Sequence, residues 1–228
     1  MLLCGCAPLQ GPDYGAHDHA EGLNRASYAF TDAIDRAIVA PTARGYRWIT
    51  PDWLERGIAN VFLNMRHLPS AANGFLQGKP KAGGTDLARL AINTTVGIGG
   101  FFDVASRWDL RFQEEDFGQT LAVWGVKNSR YVFVPFLGPT TVRDLPSVVV
   151  RSLTPRLIVG SDYHWGWSAL DLISVRAEAL SASDVRDASA LDPYAFTRDA
   201  YYQRRKFLIF DGDLPEDDLF DEFDDEDL

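Results

Sequence analysis

The chain has few cysteines, no long apolar run and no excess of basic charge. Both cysteines, Cys4 and Cys6, lie within the first six of its 228 residues. A disulfide framework and a cysteine metal site are therefore excluded from the rest of the chain. No apolar run approaches the ~20 residues that a transmembrane helix needs. What remains is a chain with 46% hydrophobic residues, which predicts a packed globular body.

Negative charge is concentrated at one end of the chain. The net charge is −10, and residues 211–228 contain eleven acidic residues and no basic one. The rest of the chain is therefore close to neutral, which makes nucleic acid an unexpected partner. We expect residues 211–228 to form an acidic, disordered tail that could contact a basic protein.

Signals for catalysis are also missing. The nearest approach to a nucleophile elbow, residues 166–170, lacks the second glycine of G-x-S-x-G, and phosphate-loop motifs are absent. His17, Asp18 and His19 could contribute to a metal site, but a surface pair of histidines is favoured. The sequence therefore predicts neither an enzyme nor a metal or cofactor site.

The N-terminus allows two interpretations. Leu3-Cys4-Gly5-Cys6 resembles a bacterial lipobox, in which Cys6 would carry a lipid anchor. Alternatively, the match is accidental and the two thiols are free. The first interpretation divides the chain into a shortened signal, lipobox and tether (1–17), a helical domain (18–210) and the acidic tail (211–228).

Apolar spacing and capping residues predict a mainly helical domain. A helix that begins near Glu21 is expected to end at Pro41, a second to run from Thr50-Pro51-Asp52 to Pro69, and a third to begin at Thr85-Asp86. Residues 131–136 are predicted to be extended. Further helices are predicted from Thr141 towards Val150, over residues 163–180, and after the Asp192-Pro193 cap.

Two segments could have either structural or functional roles. Three glycines among bulky apolar residues make residues 97–102 a poor helix. They predict either a tight turn between helices, which the physical argument favours, or an apolar hinge at a membrane or cavity. Similarly, the Tyr194, Arg198, Tyr201 and Arg205 face predicts either arginine–tyrosine stacking and pairing with buried acids, or contact with phosphate headgroups.

Five ordered stretches resemble the MlaA (VacJ) family of outer-membrane lipoproteins. They are Glu21-Gly22-Leu23-Asn24-Arg25-Ala26 with Tyr28 and Phe30; Phe75-Leu76-Gln77-Gly78; the run Asn93 to Ala105 that contains Gly97-Ile98-Gly99-Gly100-Phe101-Phe102-Asp103; Phe117 to Asp144 with Val134-Pro135-Phe136-Leu137-Gly138-Pro139; and Asp192-Pro193-Tyr194 with Arg198, Tyr201 and Phe207. Each match alone is weak, but together they follow the family's order across residues 18–208.

This resemblance implies an all-α, compact single-domain helical ring, donut-like, with short irregular or extended connections. It would lie in the periplasmic leaflet of the outer membrane of a Gram-negative bacterium, with Cys6 as lipid anchor. The family moves mislocalised phospholipid from the outer leaflet through a central channel to a periplasmic lipid-carrier protein. It associates with trimeric porins and uses no cofactor or metal.

The resemblance also assigns residues to roles. It reverses the preference for a simple turn, because the glycine-rich stretch matches the family's flexible segment beside the channel. The predicted channel or hinge residues are Gly97, Gly99, Gly100, Phe101, Phe102 and Asp103, and the family-motif residues are Asn24, Arg25, Phe30, Asp192, Pro193, Tyr194, Arg198 and Tyr201. The alternative function is an envelope lipoprotein that scaffolds porins or a surface complex without carrying lipid.

Overall fold

A computed structural model describes residues 18–126, 129–160 and 162–214. The predicted anchor Cys6 and most of the acidic tail lie outside these residues. The elements in chain order are α1 (Glu21–Ile34), a π-helical turn (Asp35–Val39), α2 (Ala40–Ile49), α3 (Asp52–Leu76), α4 (Pro80–Thr95), a 3₁₀ turn (Ala105–Trp108), α5 (Phe117–Val123), β1 (Tyr131–Val134), β2 (Gly138–Thr141), α6 (Leu145–Val159), α7 (His164–Glu178), α8 (Leu180–Ser189) and α9 (Pro193–Ile209).

The first helix does not end at Pro41, contrary to the prediction. The chain passes from α1 through the π-helical turn into α2, and Pro41 lies in the first turn of α2. A proline normally breaks a helix because it lacks an N–H group and its ring collides with the preceding turn. The wider π turn just before Pro41 is the kind of local change that lets a helix continue past such a residue.

Pro69 was also predicted to end a helix, and the structure places it inside α3. Its neighbours His67, Ser70 and Ala71 are buried, and α3 packs along α4 over much of its length. Proline in a helix interior costs about 3 kcal/mol, which burial of several side chains can offset. Tertiary packing therefore overrides the local signal at this position.

Two helices begin at other residues than predicted, because the residues predicted to start them are buried in tertiary contacts. Thr85-Asp86 lies within α4, which begins at Pro80, and Asp86 is buried against α3 rather than capping a helix end. Thr141 lies in β2, and the helix that follows begins only at Leu145. The starts near Asp52 and Pro193 are confirmed, although no side chain caps α3.

The predicted extended segment is one strand of a small hairpin. β1 pairs with β2 in antiparallel register, from Tyr131 opposite Thr141 to Val134 opposite Gly138. Phe136 and Gly138 adopt positive φ angles of 64° and 89° and turn the chain between the strands. Tyr131 and Phe133 point inwards and are buried, so the hairpin packs onto the helices.

Contacts between helices form a closed circuit in the described part of the chain. α2 packs against α8, α8 against α9, and α9 against α5. In turn α5 contacts α3, α3 contacts α7, and α7 returns to α2, while α6 contacts α3, α5 and α7. The all-α class is confirmed, and the circuit agrees with the predicted ring.

The interior is unusually polar and the exterior unusually apolar. Buried polar side chains include His67, Asp86, Arg89 and Gln119, whereas many large apolar side chains, such as Trp48, are exposed. Large exposed apolar surface typically marks a contact with a membrane or another protein. None of the described helices combines the length and hydropathy needed to cross a membrane.

Candidate functional site

The glycine-rich segment forms a hydrogen-bonded turn at the end of α4. Ile98, Gly99 and Gly100 have φ angles of 54°, 69° and 91°. The amide of Gly99 donates to the carbonyl of Thr94, and that of Gly100 donates to the carbonyl of Asn93. These bonds satisfy carbonyls that the helix end leaves free. The positive φ angles explain the glycines at positions 99 and 100, since other residues resist this conformation.

The turn packs closely against α3. A side chain at Gly100 would overlap Asn64, and one at Gly57 would overlap the ring of Phe101. Asn60 on α3 donates to the carbonyl of Phe101 at 3.1 Å. The turn is therefore held on α3 by packing and by a hydrogen bond. Of the two glycines in the turn with positive φ angles, Gly100 is packed against α3 and Gly99 faces open space.

Asp103 anchors the end of this turn to α4. Its carboxylate accepts hydrogen bonds from Arg89 at 3.0 and 3.1 Å and from Asn93 at 3.0 Å. It also accepts from the hydroxyl and the amide of Ser106. Partial burial alone would raise the pKa of Asp103, but the bonds from Ser106, Asn93 and Arg89 lower it to about 2.

A second buried polar group lies beneath this network, between α3 and α4. The hydroxyl of Ser70 donates to Asp86 at 2.5 Å, and His67 Nδ1 lies 4.0 Å from Asp86 Oδ1. Burial raises the pKa of Asp86 to about 6, with Ser70 opposing it. Burial and the charge of Arg89 lower the pKa of His67 to about 4.

These two shifts have opposite effects on stability. The unfolded pKa values are about 6.5 for histidine and 3.9 for aspartate. Because His67 resists protonation in the folded state, its contribution lowers stability as pH falls from about 6.5 to 4. Because Asp86 takes up a proton more readily when folded, its contribution raises stability as pH falls from about 6 to 4.

We therefore expect the contributions of His67 and Asp86 largely to offset each other between pH 4 and 6.5, and two variants separate these contributions. Asp86→Asn leaves His67 alone and should lose roughly 2 to 3 kcal/mol as pH falls from 6.5 to 4. His67→Asn leaves Asp86 alone and should gain stability between pH 6 and 4. Denaturant unfolding at a series of pH values measures both slopes, and slopes of the same sign would refute the assignment.

The family-motif residues at the two ends of the domain meet one another. Asn24 on α1 donates to Asp18 at 2.7 Å and accepts from the amide of Phe133 at 3.0 Å. Asp18 also accepts from the hydroxyl of Tyr194 on α9, and it is buried. Asp18 is thus a buried carboxylate of the folded domain. Of the two histidines predicted to lie on the surface, His19 is exposed, as predicted, and His17 lies outside the described residues.

Arg25 and Asp192 link the same two helices. The guanidinium of Arg25 donates to both oxygens of Asp192, at 3.1 and 2.6 Å, and lies 4.5 Å from the centre of the Tyr194 ring. Asp192 also accepts from the amides of Tyr194 and Ala195 and so caps α9, whose first residue is Pro193. This geometry joins α1 to the start of α9.

The arginine–tyrosine face of α9 follows its structural interpretation. Arg205 donates to Asp116 and to Asp144, at 2.5 and 3.0 Å, and the hydroxyl of Tyr201 donates to Asp144 at 2.7 Å. Arg198 lies 3.7 Å from Asp18. Burial alone would raise the pKa of Asp116, but the bonds and charge of Arg205 lower it to about 2. The pairing with buried acids is confirmed for this face.

Phe30 and Phe102 are the exposed aromatic residues among those predicted for the site. Phe30 forms an edge contact with Phe136, with ring centres 5.7 Å apart, and Phe102 packs edge-on against Phe101 at 5.0 Å. Both rings contribute to the apolar exterior. Of the aromatic residues predicted for the site, these two therefore contact the surroundings directly.

A groove between α3 and α7 lies beside the glycine-rich turn. It has a volume of about 160 Å³ and is lined by Ala59, Asn60, Phe62, Leu63, Arg66, Asp171, Ser174, Val175 and Glu178. Arg66 and Asp171 face each other across it at 3.3 Å. Asn60 lines the groove and also donates a hydrogen bond to the carbonyl of Phe101 in the turn. A movement of the turn would therefore shift a residue of the groove wall.

Arg151 on α6 lies among charges from four other parts of the circuit. Neighbouring protein displaces part of the water around its guanidinium and so lowers the pKa, and the positive charges of Arg66 and Arg204 lower it further. The negative charges of Asp171 and Glu114 act in the opposite direction. Asp171 pairs with Arg66, and Glu114 pairs with Arg204 at 3.3 Å. Arg151 is accessible to water and has no ion pair among the described residues. It is thus a cation available to an anionic ligand.

This group of charges was not predicted from the sequence. Arg66, Glu114, Arg151, Asp171 and Arg204 are spread over 139 positions and belong to no shared motif. Only the closed circuit of helices brings them together. A weak signal exists in α6, where Arg151 follows the apolar run Val148-Val149-Val150, but a lone arginine is more often a solvated surface residue. Among the described residues, no cluster of side chains could hold a metal ion.

Comparisons with known proteins agree with this architecture. The family model for the MlaA lipoprotein matches residues 16–208. The chain is 35% identical over 221 residues to the intermembrane phospholipid transport system lipoprotein MlaA of Escherichia coli K12, covering 93% of this chain and 86% of that protein. The namesake protein of Haemophilus influenzae is 33% identical over 245 residues, covering 98% and 95%.

A solved structure also resembles this chain in both fold and sequence. It was described in work on the structural basis for maintenance of bacterial outer membrane lipid asymmetry. Its chain is 32% identical in sequence and superimposes with a TM-score of 0.74, covering 84% of this chain and 98% of that one. At this identity the similarity extends beyond the fold to the sequence.

Proposed function

Since the chain belongs to the MlaA lipoprotein family, we propose that it removes mislocalised phospholipid from the outer leaflet of the outer membrane. The lipid passes through a central channel inside the helical circuit and is delivered to a periplasmic lipid carrier. This is intermembrane transport that maintains lipid asymmetry, and it needs no catalytic residue.

The observation that carries this proposal is the set of charges around Arg151. A phospholipid that crosses between surfaces must move a charged headgroup through protein, and burial of an unpaired charge is costly. Charged side chains from α3, α6, α7, α9 and the segment before α5 would replace the water that the headgroup loses. The apolar exterior of the same helices suits the surrounding lipid chains.

The glycine-rich turn is the proposed moving part of this channel. Gly97, Gly99, Gly100, Phe101 and Phe102 belong to it, and Asp103 fixes one end to Arg89. Its link to the groove through Asn60 supports a role in opening or narrowing the path. Motion would centre on Gly99, which is exposed and where an added side chain would meet no neighbouring atom.

The proposal includes a location and partners. Cys6 carries the lipid anchor, the ring lies in the periplasmic leaflet, and a trimeric porin holds it there. The acidic tail contacts a basic surface on the periplasmic carrier. Opposite charge would speed such an encounter and make it sensitive to salt. These features rest on the family and on the sequence.

Deletion of the gene tests the proposed function. We expect more phospholipid on the cell surface and greater sensitivity to detergent, with both restored by a plasmid copy. Unchanged values in a strain whose other lipid-asymmetry systems are intact would contradict the proposal. The alternative scaffold function predicts that the protein purifies from its envelope without stoichiometric phospholipid, which mass spectrometry can determine.

Substitution of Gly99 tests the moving turn. Gly99→Val should lower phospholipid transfer several-fold while lowering the free energy of unfolding by only about 1 to 2 kcal/mol, the cost of a positive φ angle. Gly78→Val is a matched control, because Gly78 has a φ of 74° and faces open space away from the turn. Gly100→Val should instead destabilise the fold through its overlap with Asn64.

Parallel measurements of lipid transfer and thermal unfolding separate these outcomes. If Gly99→Val and Gly78→Val reduce transfer equally, strain alone explains the effect. The glycine-rich segment would then be a structural turn and not a hinge.

A further inference from the structure

A corner of the surface, where α2 ends and α3 begins, exposes an unusual group of apolar side chains. Trp48, Ile49 and Trp53 are 88%, 70% and 65% exposed. Indole rings combine an apolar body with a polar N–H group and are enriched where membrane meets water. We call these three residues the α2–α3 corner.

Arginines surround the α2–α3 corner, and their partners are held loosely. Arg44 lies 3.5 Å from Asp184, Arg47 lies 3.9 Å from Glu55, and Arg56 lies 3.7 Å from Asp52. These distances exceed the range of a good hydrogen bond, and exposed pairs of this kind contribute little to stability.

Two arginines elsewhere in the domain are bound much more tightly. Arg25 lies 2.6 Å from Asp192, and Arg176 lies 2.7 Å from Asp35. Loose pairs also occur elsewhere, as for Arg198 and Asp18 at 3.7 Å, but at the corner three loosely paired arginines lie together and are exposed. The corner therefore concentrates weakly paired arginines. Its guanidinium groups are available to a stronger anion.

A cleft lies between two of these arginines and α8. Its volume is about 370 Å³, and its lining residues are Arg44, Arg47, Trp48, Leu180, Ser181 and Asp184. Arg44, Arg47 and Trp48 are three and four positions apart on α2, which places them on one face of the helix. The cleft thus presents two cations, a hydroxyl and an indole ring to one ligand.

We propose that this cleft binds the phosphate of a membrane glycerophospholipid headgroup, at a site separate from the transport channel. Arg44 and Arg47 hold the phosphate oxygens, and Trp48 and Ile49 extend into the adjoining acyl region. Binding displaces Asp184 from Arg44. The cleft shares no lining residue with the groove between α3 and α7.

A lipid fits this site better than a free anion. Free phosphate would use the arginines but leave the apolar side chains of the α2–α3 corner exposed. The charge of the arginines complements a phosphate, and the exposed indoles complement its acyl chains. One amphipathic ligand can therefore contact both the arginines and the exposed indoles.

Flotation of the detergent-purified full chain with vesicles tests the site. The vesicles contain phosphatidylcholine, either alone or mixed with phosphatidylglycerol. Arg44→Gln/Arg47→Gln should weaken partitioning to the mixed vesicles by about ten- to thirtyfold. Asp184→Asn should have the opposite effect, because it releases Arg44 from its competitor. Thermal unfolding of each variant checks that the fold is kept.

Arg107→Gln/Arg111→Gln removes the same charge from two exposed arginines elsewhere and is the matched control. An equal loss in this control would show general attraction to anionic surfaces and would overturn the site. Weaker binding by Asp184→Asn would also overturn it. Calorimetric binding of inorganic phosphate with the affinity seen for vesicles would identify a free-anion site instead and refute the lipid.

These outcomes are independent of the proposed transport function. The cell-surface phospholipid assay can succeed with Arg44→Gln/Arg47→Gln even if flotation fails. Conversely, a lipid-binding cleft can exist in a scaffold protein that transports nothing. Quenching of tryptophan fluorescence by phosphatidylglycerol with brominated acyl chains, reduced in Trp48→Phe, would locate the bound lipid at the corner.

Discussion

Replacing Arg89 by glutamine is expected to lower the free energy of unfolding by about 3 to 5 kcal/mol. Arg89 is only 1% exposed and donates to both oxygens of Asp103, to Ser106 and to the carbonyl of Leu110. Glutamine is shorter and uncharged, so these acceptors would lose their donors in a partly buried place. Unpaired buried groups carry their full cost of desolvation.

The expected loss corresponds to a fall of about 10 °C in melting temperature for a domain of this size. Thermal unfolding in detergent, followed by near-UV circular dichroism, measures it. Arg107→Gln is the control, since Arg107 is exposed and its loss should change stability by less than about 0.5 kcal/mol. A similar small change in Arg89→Gln would show that the network contributes little.

A double variant separates the ion pair from the rest of the network. Asp103→Asn should cost less than Arg89→Gln, because Asp103 is partly exposed and asparagine keeps some acceptors. If the two residues act as a pair, the combined variant should lose less than the sum of the single losses. If the losses in unfolding free energy are additive, Arg89 stabilises the fold mainly through its hydrogen bonds to Ser106 and Leu110 and not through Asp103.

Replacing Arg151 by glutamate is expected to reduce phospholipid transfer at least tenfold while leaving stability nearly unchanged. The substitution adds a third anion beside Asp171 and Glu114 and removes the cation that has no ion pair in the described structure. A phosphate headgroup would then meet repulsion where it now meets attraction. A difference of about 1.4 kcal/mol suffices for a tenfold effect.

Two further variants sharpen the result. Arg151→Lys keeps the charge but loses the planar fork of donors, so we expect a partial loss of about two- to threefold. Arg111→Glu makes the same charge reversal at another exposed arginine and should leave transfer unchanged. Transfer of a fluorescent phospholipid between vesicles measures all three. Normal transfer by Arg151→Glu would remove this residue from the lipid path.

The sequence predicted those parts of the fold that depend on local chemistry. The acid–proline pair at Asp192-Pro193 begins a helix, and residues 131–134 form a strand, because caps and extended β-branched runs act within a few residues. The helix ends predicted at Pro41 and Pro69 were wrong. The effects of these prolines on the backbone were outweighed by a π turn in one case and by burial against α4 in the other.

The site was only partly predictable from the sequence. Family motifs selected Asn24, Arg25 and Asp192, and the structure places them in a polar contact between α1 and α9. Nothing in the sequence around Arg151 distinguishes it from a solvated arginine. Its surroundings come from elements up to 85 residues away, and only the closing of the circuit defines them.

The burial of Asp18 fixes where the domain is attached to its proposed anchor. Only twelve peptide steps separate Cys6 from this carboxylate, which Asn24 and Tyr194 hold in place. Even a fully extended segment of that length spans at most about 40 Å. A lipid on Cys6 would keep the domain at high effective concentration near one leaflet but would leave it free to rotate. Orientation must then come from lateral contacts of the domain itself, so loss of the anchor and loss of the apolar exterior should produce different defects.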